Sequence, residues 1–408
     1  MPLSTEQVLL GRQPIVDRDG RMYAFELLFR AERHPNAARY SDDLVATTHV
    51  LRHVFAELGV EKALGPYRGF VNCDARMLLM PETLDVLPHD RVVIEILESV
   101  EPTPEVVERL RDLKAAGFAL ALDDYRGPRD GYDAVLALAD FIKIDLPRVK
   151  PAALDGMVAG LRGLPARLVA EKVQTRAQAD RCRAAGIDYF QGFFFARPVI
   201  VEGRKLGLPQ IALLRLLNLL LQDADTHAVV DEFKKHPGLS LNLLRIANSA
   251  ATTRAARVHS IGQAIVLVGR RQLRRWVQLL LYTDGAPAGA ANPLLQLAAT
   301  RGRLMESVAD ALWPGTGERA DLAFMVGILS LMPAVFGVSF EDILPSLPLP
   351  DEARGALLAR EGLLGDLLVR IQALEVDPMD ESALPDGLSA DAFSRELVGA
   401  MSWANRIG

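Results

Sequence analysis

Glu26, Asn72, Glu95, Asp123, Asp124, Lys143, Asp145, Glu171 and Gln191 each stand at or just past the end of a short apolar run: FELLFR, FVNCD, VIEILES, LALDDY, FIKID, LVAEK and YFQG. Carboxylates with interspersed amides are the oxygen ligands that hard cations such as Mg²⁺ or Mn²⁺ take. Two such cations about 3.5–4 Å apart clamp the attacking and leaving oxygens of a phosphodiester and lower the pKa of a bound water. A single Glu or Asp in such a place is ordinarily a solvated loop residue or a helix cap. The adjacent pair Asp123 and Asp124 would carry little alone. Run ends that repeatedly bear acidic or amide groups favour a metal site, on the condition that the runs are strands whose C-terminal ends meet at one mouth.

The elements that must position them alternate. Strand-like runs cover residues 8–16, 22–30, 69–73, 92–97, 118–123, 141–144, 167–170 and 189–195, with amphipathic helical patterns between most of them, such as 44–58, 105–116 and 176–185. Near-continuous apolar strands alternating with helices predict a parallel sheet buried on both faces. Eight strands in this length fit a closed TIM-type (β/α)₈ barrel. Only residues 17–20 separate the first two strands. A right-handed crossover does not fit there, so that pair is expected to be antiparallel, a modification of the standard barrel. An open doubly wound sheet is the alternative, but it wants a Gly-rich phosphate loop after its first strand, and residues 17–20 read DRDG.

Past residue 198 the pattern changes. A charged, Gly/Pro-marked connector leads into long helical patterns at 211–223, 226–235, 240–247, 261–268, 271–282, 292–312 and 322–331. The expected class is therefore α/β plus all-α, with a barrel over 1–199, a linker over 200–208 and an all-helical domain over 209–408. The length of 408 residues suits two cores. A net charge of -6 argues against a general nucleic-acid binder. Two cysteines, Cys73 and Cys182, sit outside any CxxC or Cys/His cluster, which predicts a reduced, cytoplasmic protein. Residues 322–340 carry no charge and approach the roughly 17–20 residues of a membrane span. Their acidic flanks, Asp321 and Glu341, and the interior Pro333 predict instead a core helix that breaks at Pro333. Arg270, Arg271, Arg274 and Arg275 put like charges at i,i+4 spacing. An anionic partner would suit them, and ion pairs within this acidic chain are the favoured expectation.

Glu26-Leu27-Leu28-Phe29-Arg30 resembles the E-x-L-x-R signature of EAL domains, and Gln13-Pro14-Ile15 resembles the QPI of that family's first strand. Asn72, Glu95-x-x-Glu98, Asp123-Asp124, Ile142-Lys143-Ile144-Asp145, Ala170-Glu171 and Gln191-Gly192 follow in the family's order. The resemblance implies a barrel that binds cyclic di-GMP and, in active members, linearises it with two metals. It implies Glu26, Asn72, Glu95, Asp123 and Asp124 as metal ligands, and Lys143 and Glu171 as the groups that position and activate water, supported by Gln191. Gln13, Leu28, Arg30 and Asp145 would then face the ligand. Two departures stand out. Tyr125-Arg126-Gly127-Pro128-Arg129 replaces a Phe-Gly-Thr-Gly-like loop, and Lys172 and Gln174 replace a Gly and a Glu. Residues 239–250, 260–265, 275–276 and 323–330 resemble the HDOD domain, a helical relative of HD phosphohydrolases without their catalytic residues. The three histidines past residue 200, His227, His236 and His259, lack a following Asp. The expectation is a cyclic di-GMP signalling protein with weak or absent hydrolysis, whose helical domain contacts a protein partner or a second copy of the chain. Alternatives are an active metal-dependent cyclic di-GMP phosphodiesterase and a scaffold that binds neither nucleotide nor metal.

Overall fold

A computed structural model describes residues 8–31, 60, 64–80, 84, 87–192, 208–250, 258, 260–283, 293–315, 317–336, 339–378 and 380–407. The expected helix at 44–58, the connector at 198–207, His259 and the Arg30 side chain lie outside the described residues.

Eight strands close a barrel in sequence order: β1 (Val8–Asp17), β2 (Met22–Ala31), β3 (Arg68–Cys73), β4 (Val92–Ile96), β5 (Ala119–Tyr125), β6 (Phe141–Asp145), β7 (Arg167–Glu171) and β8 (Tyr189–Gln191). This excludes the open sheet. β1 pairs antiparallel with both β2 and β8, and every pair from β2 to β8 is parallel. The four-residue turn after β1 dictates that reversal, since a parallel return needs a crossover of a dozen residues or more.

The period of two along each strand sorts the barrel's side chains. Phe70, Val93, Ala121, Phe141, Val169 and Tyr189 fill the interior. Two residues further along the same strands, Asn72, Glu95, Asp123, Lys143, Glu171 and Gln191 form the next layer toward the mouth. The alternate residues, among them Phe25, Leu27, Val71, Ile94, Leu120, Ile142 and Leu168, pack outward against the helices Pro104–Ala115, Leu154–Leu161 and Arg176–Ala185.

The described residues past 207 form helices, from Leu208–Leu221 to Ala390–Ala404. Its core rests on a close crossing of Pro293–Leu312 with Gly317–Leu329. A Cβ on Gly327 would stand 2.7 Å from the Gly302 Cα, and one on Gly302 would stand 2.5 Å from Ile328 Cγ1, so both positions require glycine. The stretch Gly317–Phe336 has the length and apolarity of a membrane span (mean hydropathy 1.6), yet 72 % of that window is buried. It breaks at Ser330 and Leu331, earlier than the expected Pro333, which instead sits inside the short helix Met332–Phe336. Proline disfavours helix at the residue before it and is tolerated in a first turn, so the break precedes it. Three of the four flank arginines are ion-paired internally: Arg270 to Asp223 at 2.7 Å, Arg271 to Asp321 at 2.6 Å, and Arg275 to Asp321 at 2.7 Å and to the buried Glu306.

Candidate metal and ligand site at the barrel mouth

Glu26 enters from β2, Asn72 from β3, Glu95 from β4, Asp123 from β5, Lys143 from β6, Glu171 from β7 and Gln191 from β8. Lys143 is 1 % exposed and stands at their centre. Its Nζ lies 3.1 Å from Glu26 Oε2, 2.8 Å from Glu171 Oε1 and 3.7 Å from Asp123 Oδ1, and it also pairs with Glu95. Asn72 Nδ2 donates to Glu26 Oε1 at 2.9 Å, and Gln191 Nε2 donates to Glu26 Oε2 at 2.5 Å and to Gln13 Oε1 at 3.0 Å. These bonds orient both amides, leaving their carbonyl oxygens as the remaining acceptors.

One ammonium cannot balance this many carboxylates in a buried place. Burial pushes Glu171 up to about 8, with Asp123 and Glu26 adding to it against the pull of Lys143. Burial likewise raises Glu95 well above the ordinary carboxylate range, with Lys143 opposing. Glu26 is held low: burial works against it, but Lys143 and the amide donors of Gln191 and Asn72 prevail.

Two adjacent aspartates reach the mouth because the strand is irregular there. A regular strand points Asp123 and Asp124 to opposite faces. The β5–β6 register shifts between Leu122 and Tyr125, and Asp124 adopts a left-handed φ of 47°. A bulge of this kind re-aims side chains. Asp124 then meets cations on every side: Lys172 Nζ at 3.4 Å, Arg126 at 3.1 Å and Arg148 at 3.8 Å. Lys172 also bonds Asp145 Oδ2 at 2.7 Å, and Arg148 approaches the same oxygen at 3.4 Å. Lys172 has a φ of 55°, which costs a lysine about 1–2 kcal/mol. Its backbone is held by β8. Gly192 passes so close that a Cβ there would stand 2.4 Å from Val173 N, and Val173 N donates to Gln191 O at 3.0 Å.

The loop at 125–129 is fastened to the turn after β4: Arg129 donates to Glu98 O at 2.9 Å and lies 4.1 Å over the Tyr132 ring. Of the expected site residues, Gln13, Glu26, Asn72, Glu95, Asp123, Lys143, Glu171 and Gln191 are thus joined in one network. Asp124 and Asp145 form a flanking group around Lys172. Leu28 is half-buried two residues past Glu26, on the same face of β2. Arg148 was missed as a partner of this group. Its i,i+3 spacing from Asp145, directly after a strand, was the available signal.

The donor set fits a divalent cation. Asn72 Oδ1, Glu95 Oε2, Asp145 Oδ1, Glu171 Oε2 and Gln191 Oε1 are buried acceptors without a hydrogen-bond partner. Each such orphan costs about 1–3 kcal/mol, and a hard cation satisfies acceptors alone. Among the described residues, two carboxylate groups lie close enough to share an ion: Glu26, Glu95 and Glu171, and Asp123, Asp124 and Glu171.

Comparison with known proteins gives the same frame. The profile of the EAL domain matches residues 3–198, and that of the HDOD domain matches residues 208–340. An uncharacterized Bacillus subtilis protein, YuxH, is 29 % identical across 98 % of this chain and 99 % of its own. The Vibrio cholerae protein named cyclic di-GMP phosphodiesterase CdgJ is 28 % identical across 98 % of this chain and 92 % of its own. A solved structure, the PaMucR phosphodiesterase in complex with c-di-GMP, is 23 % identical, covers 50 % of this chain and 99 % of its own, and superposes with a TM-score of 0.41.

Proposed function

From a chain built as an EAL domain over residues 3–198 followed by an HDOD domain over residues 208–340, we propose that the barrel mouth binds cyclic di-GMP together with Mg²⁺ or Mn²⁺ as a signal-sensing site, with slow or no hydrolysis. Glu26, Asn72, Glu95, Asp123 and Glu171 would hold the cation, which supplies an activated water and polarises a phosphodiester oxygen when bound. Lys143 would neutralise the developing charge, and Gln191 would orient Glu26 and Gln13. Gln13, Leu28 and Arg30 would face the dinucleotide. Arg30 offers the planar fork that suits phosphate. The observation that carries the reading is the engagement of Asp124 by Lys172, Arg126 and Arg148. A carboxylate held by three cations is a poor metal ligand, and the 125–129 loop offers no glycine-rich cradle in its place. The helical domain would carry the response to a partner, and light scattering would show whether that partner is a second copy of the chain.

A second reading, an active phosphodiesterase, is favoured by the intact 2.8 Å contact between Lys143 and Glu171. One experiment separates the two. The purified chain is incubated with cyclic di-GMP and Mn²⁺, the linear dinucleotide is resolved by chromatography, and Glu26→Ala is run alongside. Melting temperatures are recorded with and without nucleotide. The sensing reading expects a higher melting temperature with cyclic di-GMP and little product. Rapid product formation lost in Glu26→Ala establishes the enzyme. No thermal shift and no product removes both.

A further inference from the structure

The two carboxylate groups at the mouth are not equivalent. Orphaned acceptors lie around both: Glu95 Oε2, Asn72 Oδ1 and the 4 % exposed Gln191 with its Oε1 at the inner one, Asp145 Oδ1 beside the outer one, and Glu171 Oε2, which the two groups share. The inner one already holds the single buried ammonium of Lys143, and the outer one is furnished with three cations that reach it from partly exposed positions. Asp124 Oδ1 is 3.4 Å from Lys172 Nζ, and its Oδ2 is 3.1 Å from Arg126 and 3.8 Å from Arg148. Asp145 is 1 % exposed and takes Lys172 Nζ at 2.7 Å. The Lys172 backbone is fixed there, while its side chain is 53 % exposed. Its left-handed φ of 55° is one a lysine rarely adopts, and the close passage of Gly192 holds the neighbouring peptide. Strain of this sort persists where the surrounding structure over-determines a residue.

Resting on the metal reading above, we infer that Lys172 is a built-in cation which takes the outer place, between Asp124 and Asp145, so that the mouth binds one divalent ion and not two. The single ion belongs to Glu26, Asn72, Glu95, Asp123 and Glu171. The outer place is charge-balanced by Lys172 with Arg126 and Arg148, and a second dication there would have to displace the ammonium from Asp124.

The test counts ions without reference to turnover. Mn²⁺ is titrated into the full chain at neutral pH and free Mn²⁺ is read by its electron paramagnetic resonance signal. The parent is expected to take up one Mn²⁺. Lys172→Gly, which suits a positive φ and keeps the fold, is expected to take up two. Lys172→Arg, which keeps the charge, is expected to remain at one. Two ions of similar affinity in the parent, or no gain in Lys172→Gly, would overturn the inference while leaving the metal reading intact. No uptake by the parent or either variant would overturn the metal reading of the whole mouth, and this inference with it.

Discussion

Burial outweighs the pull of Lys143 at Glu95 and Glu171, so the metal-free cluster holds protons that an exposed set would have released. Glu171 has a folded pKa of about 8, against about 4.3 in an unfolded chain. Between those values the folded state binds the extra proton, and stability falls as pH rises, by up to about 1.4 kcal/mol per unit. The depressed Glu26 acts the other way, but only below the unfolded value. In a chelator the melting temperature should therefore drop from pH 5.5 to 8. A divalent ion binds carboxylates as anions, so the stabilisation by Mg²⁺ should be larger at pH 8 than at pH 5.5. Differential scanning calorimetry at both pH values checks this, and equal Mg²⁺ shifts would count against the site. Removing the ammonium with Lys143→Met should destabilise the metal-free protein by about 3–5 kcal/mol, measured by urea unfolding, because it strands buried carboxylates. Burial raises both thiols, Cys182 to about 11 and Cys73 further, with Glu95 and Asp74 adding to Cys73. Iodoacetamide at pH 8 should leave both unmodified until the protein is denatured, as mass spectrometry would read.

At the scale of elements, two devices position the chemistry. The irregularity at residues 123–124 of β5 turns a strand end into a pair of aspartates on one side, and the layer below, with Phe70, Phe141 and Tyr189, closes the barrel floor beneath Lys143. In the helical domain, the crossing of Pro293–Leu312 and Gly317–Leu329 depends on backbone contact at Gly302 and Gly327. Gly327→Ala should cost about 1–3 kcal/mol by overpacking. A methyl added at Gly156, in the helix Leu154–Leu161, would meet nothing within 4 Å. Gly156→Ala should be neutral or gain about 0.5–1 kcal/mol from helix propensity. Chemical denaturation of the pair reads the difference, and equal effects would refute the packing account.

At the scale of the molecule, the short β1–β2 connection has a consequence for how the two parts join. A barrel strand needs cover on its outer face, normally from its crossover helix. Here the helices Gly362–Val376 and Ala390–Ala404 pack on β1, and Val398 joins the barrel's outer core. Arg12, on β1 beside Gln13, stacks 4.2 Å over Phe25 and donates to Asn405 Oδ1 and Thr300 Oγ1, both at 3.3 Å. The helical region thus touches the back of the strand whose front carries Gln13. Residues 1–199 produced alone should melt at a lower temperature than the barrel within the full chain and should aggregate. Val398→Asp in the full chain should split one thermal transition into two. An isolated barrel as stable as the intact protein would show that this cover is dispensable.

The order of strands and helices, the antiparallel start and the residues of the mouth were legible in the sequence because they follow from local rules. Apolar runs, a turn too short for a crossover and polar groups at run ends are all written within a few residues of one another. The structure places eight of the mouth residues in one network around Lys143. The sequence did not determine which carboxylates would be left wanting a cation. That depended on the irregular backbone at Asp124, on the left-handed Lys172 held by the passage of Gly192, and on Arg148. The cover of β1 by a helix nearly 400 residues away in the chain was likewise decided by tertiary packing. The pairing of Lys172 with Asp124 and Asp145 and the strain in its backbone are settled by groups brought together from different strands, and no local pattern records those meetings.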